Sequence, residues 1–211
     1  MLALNSRILI ATSNPGKLRE FQGAAQELGV RVELLPGLRG LSQPVEDGAT
    51  FEANARIKAE AYSHHAPGEL VLAEDSGLIV EALDGAPGVH SARYAAALRD
   101  GRLQHSNSDD EENNQALIAE LNRIGPGPFA AKYVCVIAVA RDGATLATFT
   151  GEAHGQMLTV PRGSGGFGYD PFFLFPELGK TFAELSLDEK SACSHRGKAF
   201  RQFLEWYRTS D

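Results

Sequence analysis

The sequence predicts an α/β fold built on a long mixed β-sheet, and three observations lead there. Between residues 7 and 73, short apolar runs alternate with stretches of helical periodicity in the order β-α-β-α-β. Two later β-rich runs meet at Asp142-Gly143, a dipeptide that signals a hairpin and therefore antiparallel pairing. The chain has 211 residues, enough for one domain, or one domain in two lobes, with a real hydrophobic core. It shows no internal repeat and no low-complexity tract.

The elements follow in order. Residues 7–12, RILIAT, form an apolar run that stops at Ser13-Asn14 and reads as a buried strand ending in a Pro15-Gly16 turn. Residues 17–28 place Leu18, Phe21, Ala24, Ala25 and Leu28 at helical spacing, and Gly29 closes that helix. A second strand spans 32–35 and ends at Pro36-Gly37, and 38–48 is a loop. Thr50 is a candidate N-cap for a helix over 51–64, where Ala53, Ala55, Ala59 and Ala61 permit close packing. Residues 70–73 form a third strand that ends directly in Glu74-Asp75-Ser76-Gly77. A helix is expected over 106–124, with the acids of 109–112 near its N-terminus and Ala116, Leu117, Ala119, Leu121 and Ile124 as its apolar stripe. Gly125-Pro126-Gly127-Pro128 is the strongest break in the chain. Strands over 131–140 and 145–151, a Gly-rich loop over 163–168 and a single final helix over 187–207 complete the pattern.

Composition narrows the function classes. An apolar fraction of 43% and a charged fraction of 22% are ordinary for a globular protein. No run approaches the roughly 18–20 apolar residues that a membrane span requires. The segment before Asn14 turns polar too early for a secretory signal, so a cytoplasmic location is expected. A net charge of −7 argues against a nucleic-acid backbone as partner, but it leaves room for a small anion held by a few gathered cations. Cys135 and Cys193 have no paired spacing and read as ordinary free thiols.

Several clusters could carry chemistry. Thr12, Ser13, Asn14, Pro15, Gly16 and Lys17 lie where a strand opens a helix, a place suited to phosphate. Leu18 follows the lysine and no glycine stands well before it, so this is not a P-loop; a turn with an N-cap is the simpler reading of the segment alone. The stretch 163–168 satisfies G-x-G-x-x-G, yet Tyr169-Asp170-Pro171 follows where a dinucleotide site needs a helix. Its glycines instead allow backbone to approach a ligand, with Phe167 or Tyr169 offering a flat face to a base.

Glu74 and Asp75 are adjacent carboxylates at a strand end, where ligands of open α/β sheets bind. In a partly buried site they would repel and call for a cation, for which Mg²⁺ is the natural partner of oxygen ligands and phosphate. In isolation the pair reads first as a solvated loop. Glu46-Asp47 is a second acidic pair, either part of a metal site or plain surface charge. Lys58 shares a helix face with Asn54. Lys190, Ser194, His195 and Arg196 make a basic segment opening the last helix, though solvation would explain each separately. His64-His65 reads as a solvated helix end.

Taken together, these segments resemble the inosine triphosphate pyrophosphatase family, the Ham1 or RdgB-type noncanonical purine pyrophosphatases. The resemblance rests on six ordered blocks spread over nearly the whole chain: ATSNPGK at 11–17, FEANARIKA at 51–59, EDSGL at 74–78, GAPGVHSARYA at 85–95, GGFGYDPFF at 165–173 and KSACSHRGKA at 190–199. It implies a two-lobed α/β fold with the active site in the cleft between lobes, and a homodimer. It also implies Mg²⁺-dependent hydrolysis of a purine nucleoside triphosphate (ITP, dITP or XTP) to monophosphate and pyrophosphate. Carried over by position, Thr12 to Lys17 would hold phosphate, Lys58 would add charge, Asp75 would be the catalytic acid residue, and Glu46 and Asp75 would lie near the metal. Ser76, Phe167, Gly168, Tyr169, Asp170, Lys190, His195 and Arg196 would contact substrate. Relatives carry Asp as well as Glu at position 74, and the longer side chain leaves open a direct or a water-mediated metal contact. The residues before Arg7 form an extension without evident function.

On that resemblance, Asp75 would orient or deprotonate a water that attacks the α-phosphorus, and donors from His195 and Arg196 would favour 6-oxo bases over adenine. Two alternatives stand beside it: a Maf-type pyrophosphatase, opposed by the GGFGYDP and SHRG blocks, and a nucleotide-binding regulator without catalysis, opposed by intact Glu46, Lys58 and Asp75.

Overall fold

A computed structural model describes residues 7–27, 29–100 and 107–209. Leu28, the start of the predicted 106–124 helix and the segment before Arg7 lie outside the described residues. The first apolar run forms strand β1 (Arg7–Ile10), followed by helix α1 (Pro15–Glu27) and strand β2 (Arg31–Leu34). β1 and β2 pair in parallel, Leu9 opposite Glu33, as strands joined by a helical crossover do. The expected Pro15-Gly16 turn is instead the first turn of α1, since a proline there sacrifices no helical hydrogen bond. Gly29, at φ +68, ends the helix as expected.

Helix α2 (Phe51–Ser63) begins where Thr50 Oγ1 accepts from the Ala53 amide at 3.1 Å. Strand β3 (Val71–Val80) pairs in parallel with β1, Leu9 opposite Val71. It is ten residues long and does not stop at the acidic pair: Glu74, Asp75 and Ser76 lie inside it. Helices α3 (Tyr94–Asp100) and α4 (Asp110–Ile124) follow. Asp109 caps α4 and three acids fill its first turn. Its buried face differs from the expected stripe. Leu117 and Leu121 are buried, but Ile124 is 50% exposed and Asn113 and Asn114 are buried in its place. Asn113 earns that position by accepting from the Ala95 amide at 2.9 Å and donating to the Ala92 carbonyl at 3.2 Å.

Strands β4 (Phe129–Arg141) and β5 (Ala144–Met157) are joined by Asp142-Gly143, both at positive φ, as the hairpin signal requires. Strands β6 (Phe173–Phe175) and β7 (Lys180–Thr181) add antiparallel pairs. The sheet order is β2-β1-β3-β4-β5-β6-β7, so the mixed sheet is present. The final helix is two: α5 (Leu187–Cys193) and α6 (His195–Thr209), broken at Ser194, whose Oγ accepts from the Gly197 amide at 3.1 Å as a new N-cap. None of the described helices is long and apolar enough to cross a membrane.

The chain divides into two compact units: one from the residues up to Asp75, Cys135–Glu152 and Leu187 onward, the other from Ser76–Val134 and Ala153–Ser186. Three of their boundaries fall inside β3, β4 and β5 and the fourth just before Leu187, none of them at the Gly-Pro-Gly-Pro break, which merely separates α4 from β4. The first unit's core packs Ile8, Ile10, Phe21, Leu72, Ile137, Phe200 and Phe203, with Phe21 edge-on to Phe200 at 5.3 Å. The second holds the cluster Tyr133, Phe173 and Phe182, with centroids 4.6 to 5.7 Å apart.

The hairpin yields a test. A Cβ on Gly143 would stand 2.3 Å from the His64 ring, but that exposed ring can swing away, whereas φ +83 cannot be relieved. Gly143→Ala should lower urea-measured stability by about 1–2 kcal/mol, and adding His64→Ala should not restore it.

Candidate active site

The site starts at the N-terminus of α1. Asn14 Oδ1 accepts from the Gly16 amide at 2.8 Å and the Lys17 amide at 3.1 Å, and the Asn14 amide donates to Thr12 Oγ1 at 3.3 Å. These first-turn amides are thus committed to Asn14, and the N-cap reading of the segment is what the geometry shows. Ser13 and Pro15 are exposed, and Lys17 projects its ammonium away from the cap to Glu74 Oε1 at 2.7 Å.

β3 then separates the acidic pair. Successive strand residues point to opposite faces, and the two carboxylates have different partners. Glu74 meets Lys17, Arg196 Nη2 at 3.5 Å and the Cys135 thiol, which donates to Oε2 at 3.2 Å. Arg196 also pairs with Glu20 of α1, and Glu20 pairs with Lys190 at 2.6 Å. Burial works against a charged Glu74, but Arg196, then Lys17 and Lys58, outweigh it and hold its carboxyl well below the usual carboxylate range. Glu20 is lowered in the same way, its burial offset by Arg196 and Lys190.

Asp75 has its own set. Oδ1 lies 3.1 Å from Lys58 Nζ, and Oδ2 accepts from Asn54 Nδ2 at 3.2 Å. Lys58 Nζ lies 2.7 Å from Glu46 Oε2, so the loop acid and the strand acid converge on one ammonium. Burial would lower that ammonium, yet Asp75 and then Glu46 raise it. Asn54 Oδ1 also accepts from the Gly48 amide at 2.8 Å, tying the loop that carries Glu46 to α2.

The first unit therefore gathers Lys17, Glu46, Lys58, Glu74, Asp75, Lys190, His195 and Arg196. The last three are not solvated: their exposures are 5%, 4% and 2%. Burial, and then the charges of Arg196 and Lys190, push His195 well below its ordinary range and keep its imidazole neutral. Ser76 is half-buried in β3 and belongs to the second unit, as do Phe167 to Asp170. There the Tyr169 hydroxyl donates to the Ser91 carbonyl at 2.8 Å and the residue is 4% exposed, so its ring is a buried support and not a flat face for a base. Phe167 is half-buried, and its amide donates to Asp170 Oδ2 at 2.9 Å.

Glu46 and Asp75 are hard oxygen donors already converging on a cation, and that donor set suits Mg²⁺. Among the described residues no cluster of three or more His, Cys, Asp or Glu side chains has metal-binding geometry. The Glu74 carboxylate meets Lys17, Arg196 and the Cys135 thiol instead of Lys58. Sequence reasoning missed Glu20 and Cys135. The available signal for Glu20 was its position three residues after Lys17 on one helix face; for Cys135, deep in a β-run, there was none.

The neutral His195 has a consequence for stability. The unfolded chain takes up a proton at this histidine near its ordinary value of about 6.5, and the folded chain does not. Stability is therefore full above that pH and falls as pH drops through it, well before Glu20 and Glu74 lose theirs below the ordinary carboxylate value. The urea midpoint should decline between about pH 7.5 and 5.5, and the decline should flatten in His195→Gln.

The chain is similar to known proteins over nearly its whole length. The profile of the Ham1 family matches residues 8–206. A dITP/XTP pyrophosphatase of Acidobacterium capsulatum is 49% identical over 197 residues, covering 93% of this chain and 96% of that protein. One from Geobacter sulfurreducens is 43% identical over 204 residues, covering 95% and 98%. The structure of a HAM1 protein from Coxiella burnetii superposes with a TM-score of 0.79 at 36% identity, covering 98% of this chain and all (100%) of that one. With the family profile, the identity to these relatives and the superposed fold in agreement, the chain belongs to the Ham1 family.

Proposed function

We propose that this protein hydrolyses noncanonical purine nucleoside triphosphates, with dITP, ITP and XTP as substrates, to the monophosphate and pyrophosphate. The observation that carries the reading is the convergence of Glu46 and Asp75 on Lys58, in a chain 49% identical to a protein named dITP/XTP pyrophosphatase. Glu46 and Asp75 would hold Mg²⁺, which when bound supplies positive charge to the phosphate oxygens. Asp75 accepts a proton from the water that attacks the α-phosphorus, the bond to the bridging oxygen breaks, and pyrophosphate leaves. Asn54 fixes the rotamer of Asp75 for that task through Oδ2. Lys17 and Lys58 take up charge growing on the phosphate oxygens, with Thr12, Ser13 and Gly16 beside them. Ser76, Phe167 and Gly168 are further substrate contacts in this reading, Asp170 braces the Phe167 amide, Lys190 holds Glu20, and the His195-Arg196 segment presents donors to the base. Glu74 is assigned to holding Lys17 and Arg196, not to the metal. The enzyme is assigned to the cytoplasm, as a homodimer.

Removing the base should separate chemistry from folding. Asp75→Asn should lower kcat by about 10²–10⁴-fold with an unchanged far-UV dichroism spectrum. Retention of full dITP turnover by that variant would overturn the reading. Glu46→Gln should raise the Mg²⁺ concentration needed for half-maximal pyrophosphate release, whereas Glu74→Gln should leave that concentration alone and raise KM.

A further inference from the structure

The Gly-rich loop ends in a tip, Phe167-Gly168, whose backbone is gripped from one side by α4. The Gly168 amide donates to Asp110 Oδ2 at 2.8 Å. The Gly168 carbonyl accepts from Asn114 Nδ2 at 3.1 Å. Asp110 and Asn114 are four residues apart, so they lie one above the other on a single helix face. One turn of helix thus offers an acceptor and a donor to the two polar groups of one residue.

The tip needs such support. Gly168 has φ +61, and Gly166 before it has φ +75, so the peptide runs through conformations that no strand ladder can stabilise. The third bond at the tip, from the Phe167 amide to Asp170 Oδ2, is local, and a Cβ on Gly166 would come within 2.1 Å of that same oxygen. Asn114 is 7% exposed and Asp170 is 3% exposed, whereas Phe167 is half-buried. Asn114 and Asp170 are enclosed, Asp110 grips the tip from the exposed first turn of α4, and the aromatic residue beside them keeps part of its surface open.

We propose that Asp110 and Asn114 are positioning residues that fix the Phe167 ring as a ready-made platform for the purine base. This rests on the reading of Phe167 as a substrate contact. A ring held in place before binding costs little ordering when the base arrives, and a loosened tip subtracts that ordering from affinity. The effect belongs to the base end of the substrate and leaves the triphosphate end alone.

The chemistry of the bracket sets the test. Asp110→Ala removes the acceptor for the Gly168 amide, and Asp110→Asn keeps one. Asn114→Asp turns a donor into an acceptor facing a carbonyl, and Asn114→Ala serves if that variant fails to fold. Each is measured for KM and kcat on dITP, with inorganic tripolyphosphate as a probe of the phosphate end, beside Phe167→Ala. Asp110→Ala and the Asn114 variant should raise KM by about tenfold with kcat within about twofold, and tripolyphosphate inhibition should be unchanged. Asp110→Asn should restore KM. Unchanged KM in the folded variants, or KM and tripolyphosphate inhibition weakening together, overturns the proposal. A raised KM in Phe167→Ala with ordinary KM in the bracket variants removes the bracket alone. An ordinary KM in Phe167→Ala removes the contact on which it rests.

Discussion

Successive side chains leave a strand on opposite faces, and in β3 that rule falls on two neighbouring carboxylates. Were Glu74 and Asp75 on one face, their repulsion would have to be relieved by a shared proton or a cation wedged between them. The pleat removes that conflict by geometry, and each acid meets its own lysine: Lys17 at 2.7 Å on one side, Lys58 at 3.1 Å on the other. The rest of the polar construction in the first unit follows from this division. Glu46 and Asn54 are drawn to the Asp75 face, and Arg196, Glu20, Lys190 and Cys135 to the Glu74 face.

The Glu74 cluster is an expensive way to hold a core together. Desolvating five charged groups costs about as much as their attraction returns, and apolar side chains of similar volume would stabilise the fold as well or better. What the cluster does supply is fixed position. It ties α1, β3, α5 and α6 together through side chains that tolerate little rotation, and it leaves Lys17, at the head of α1, as the partly exposed end of the chain of charges. The Asp75 cluster is smaller and more open, and it pairs two carboxylates with one ammonium, an imbalance that a divalent cation could complete.

In the second unit, order is imposed on an irregular segment by side chains that bond to backbone. Asn113 holds the start of α3, Tyr169 reaches the Ser91 carbonyl, and Ser91 Oγ accepts from the Leu78 amide at 2.9 Å. A glycine-rich loop has little of its own to pack, so polar braces do the work that apolar contacts do in the sheet.

The order of elements through β3, the N-cap at Thr50, the stop at Gly29 and the Asp142-Gly143 hairpin were legible in the sequence, whereas α3, β6 and β7 were not. Each depends on residues within a few positions of one another, and the blocks at 11–17, 51–59, 74–78, 85–95, 165–173 and 190–199 pointed to the family. Tertiary structure alone decided the rest. It extended β3 through the acidic pair, buried Asn113 and Asn114 beside the expected apolar stripe, broke the last helix at Ser194 and drew three of the four unit boundaries inside strands. It also turned Arg196 from a surface charge into a buried link to Glu20 and Glu74, 176 and 122 residues away in the chain. Local periodicity carries no information about partners at such separations, because only packing brings them within reach.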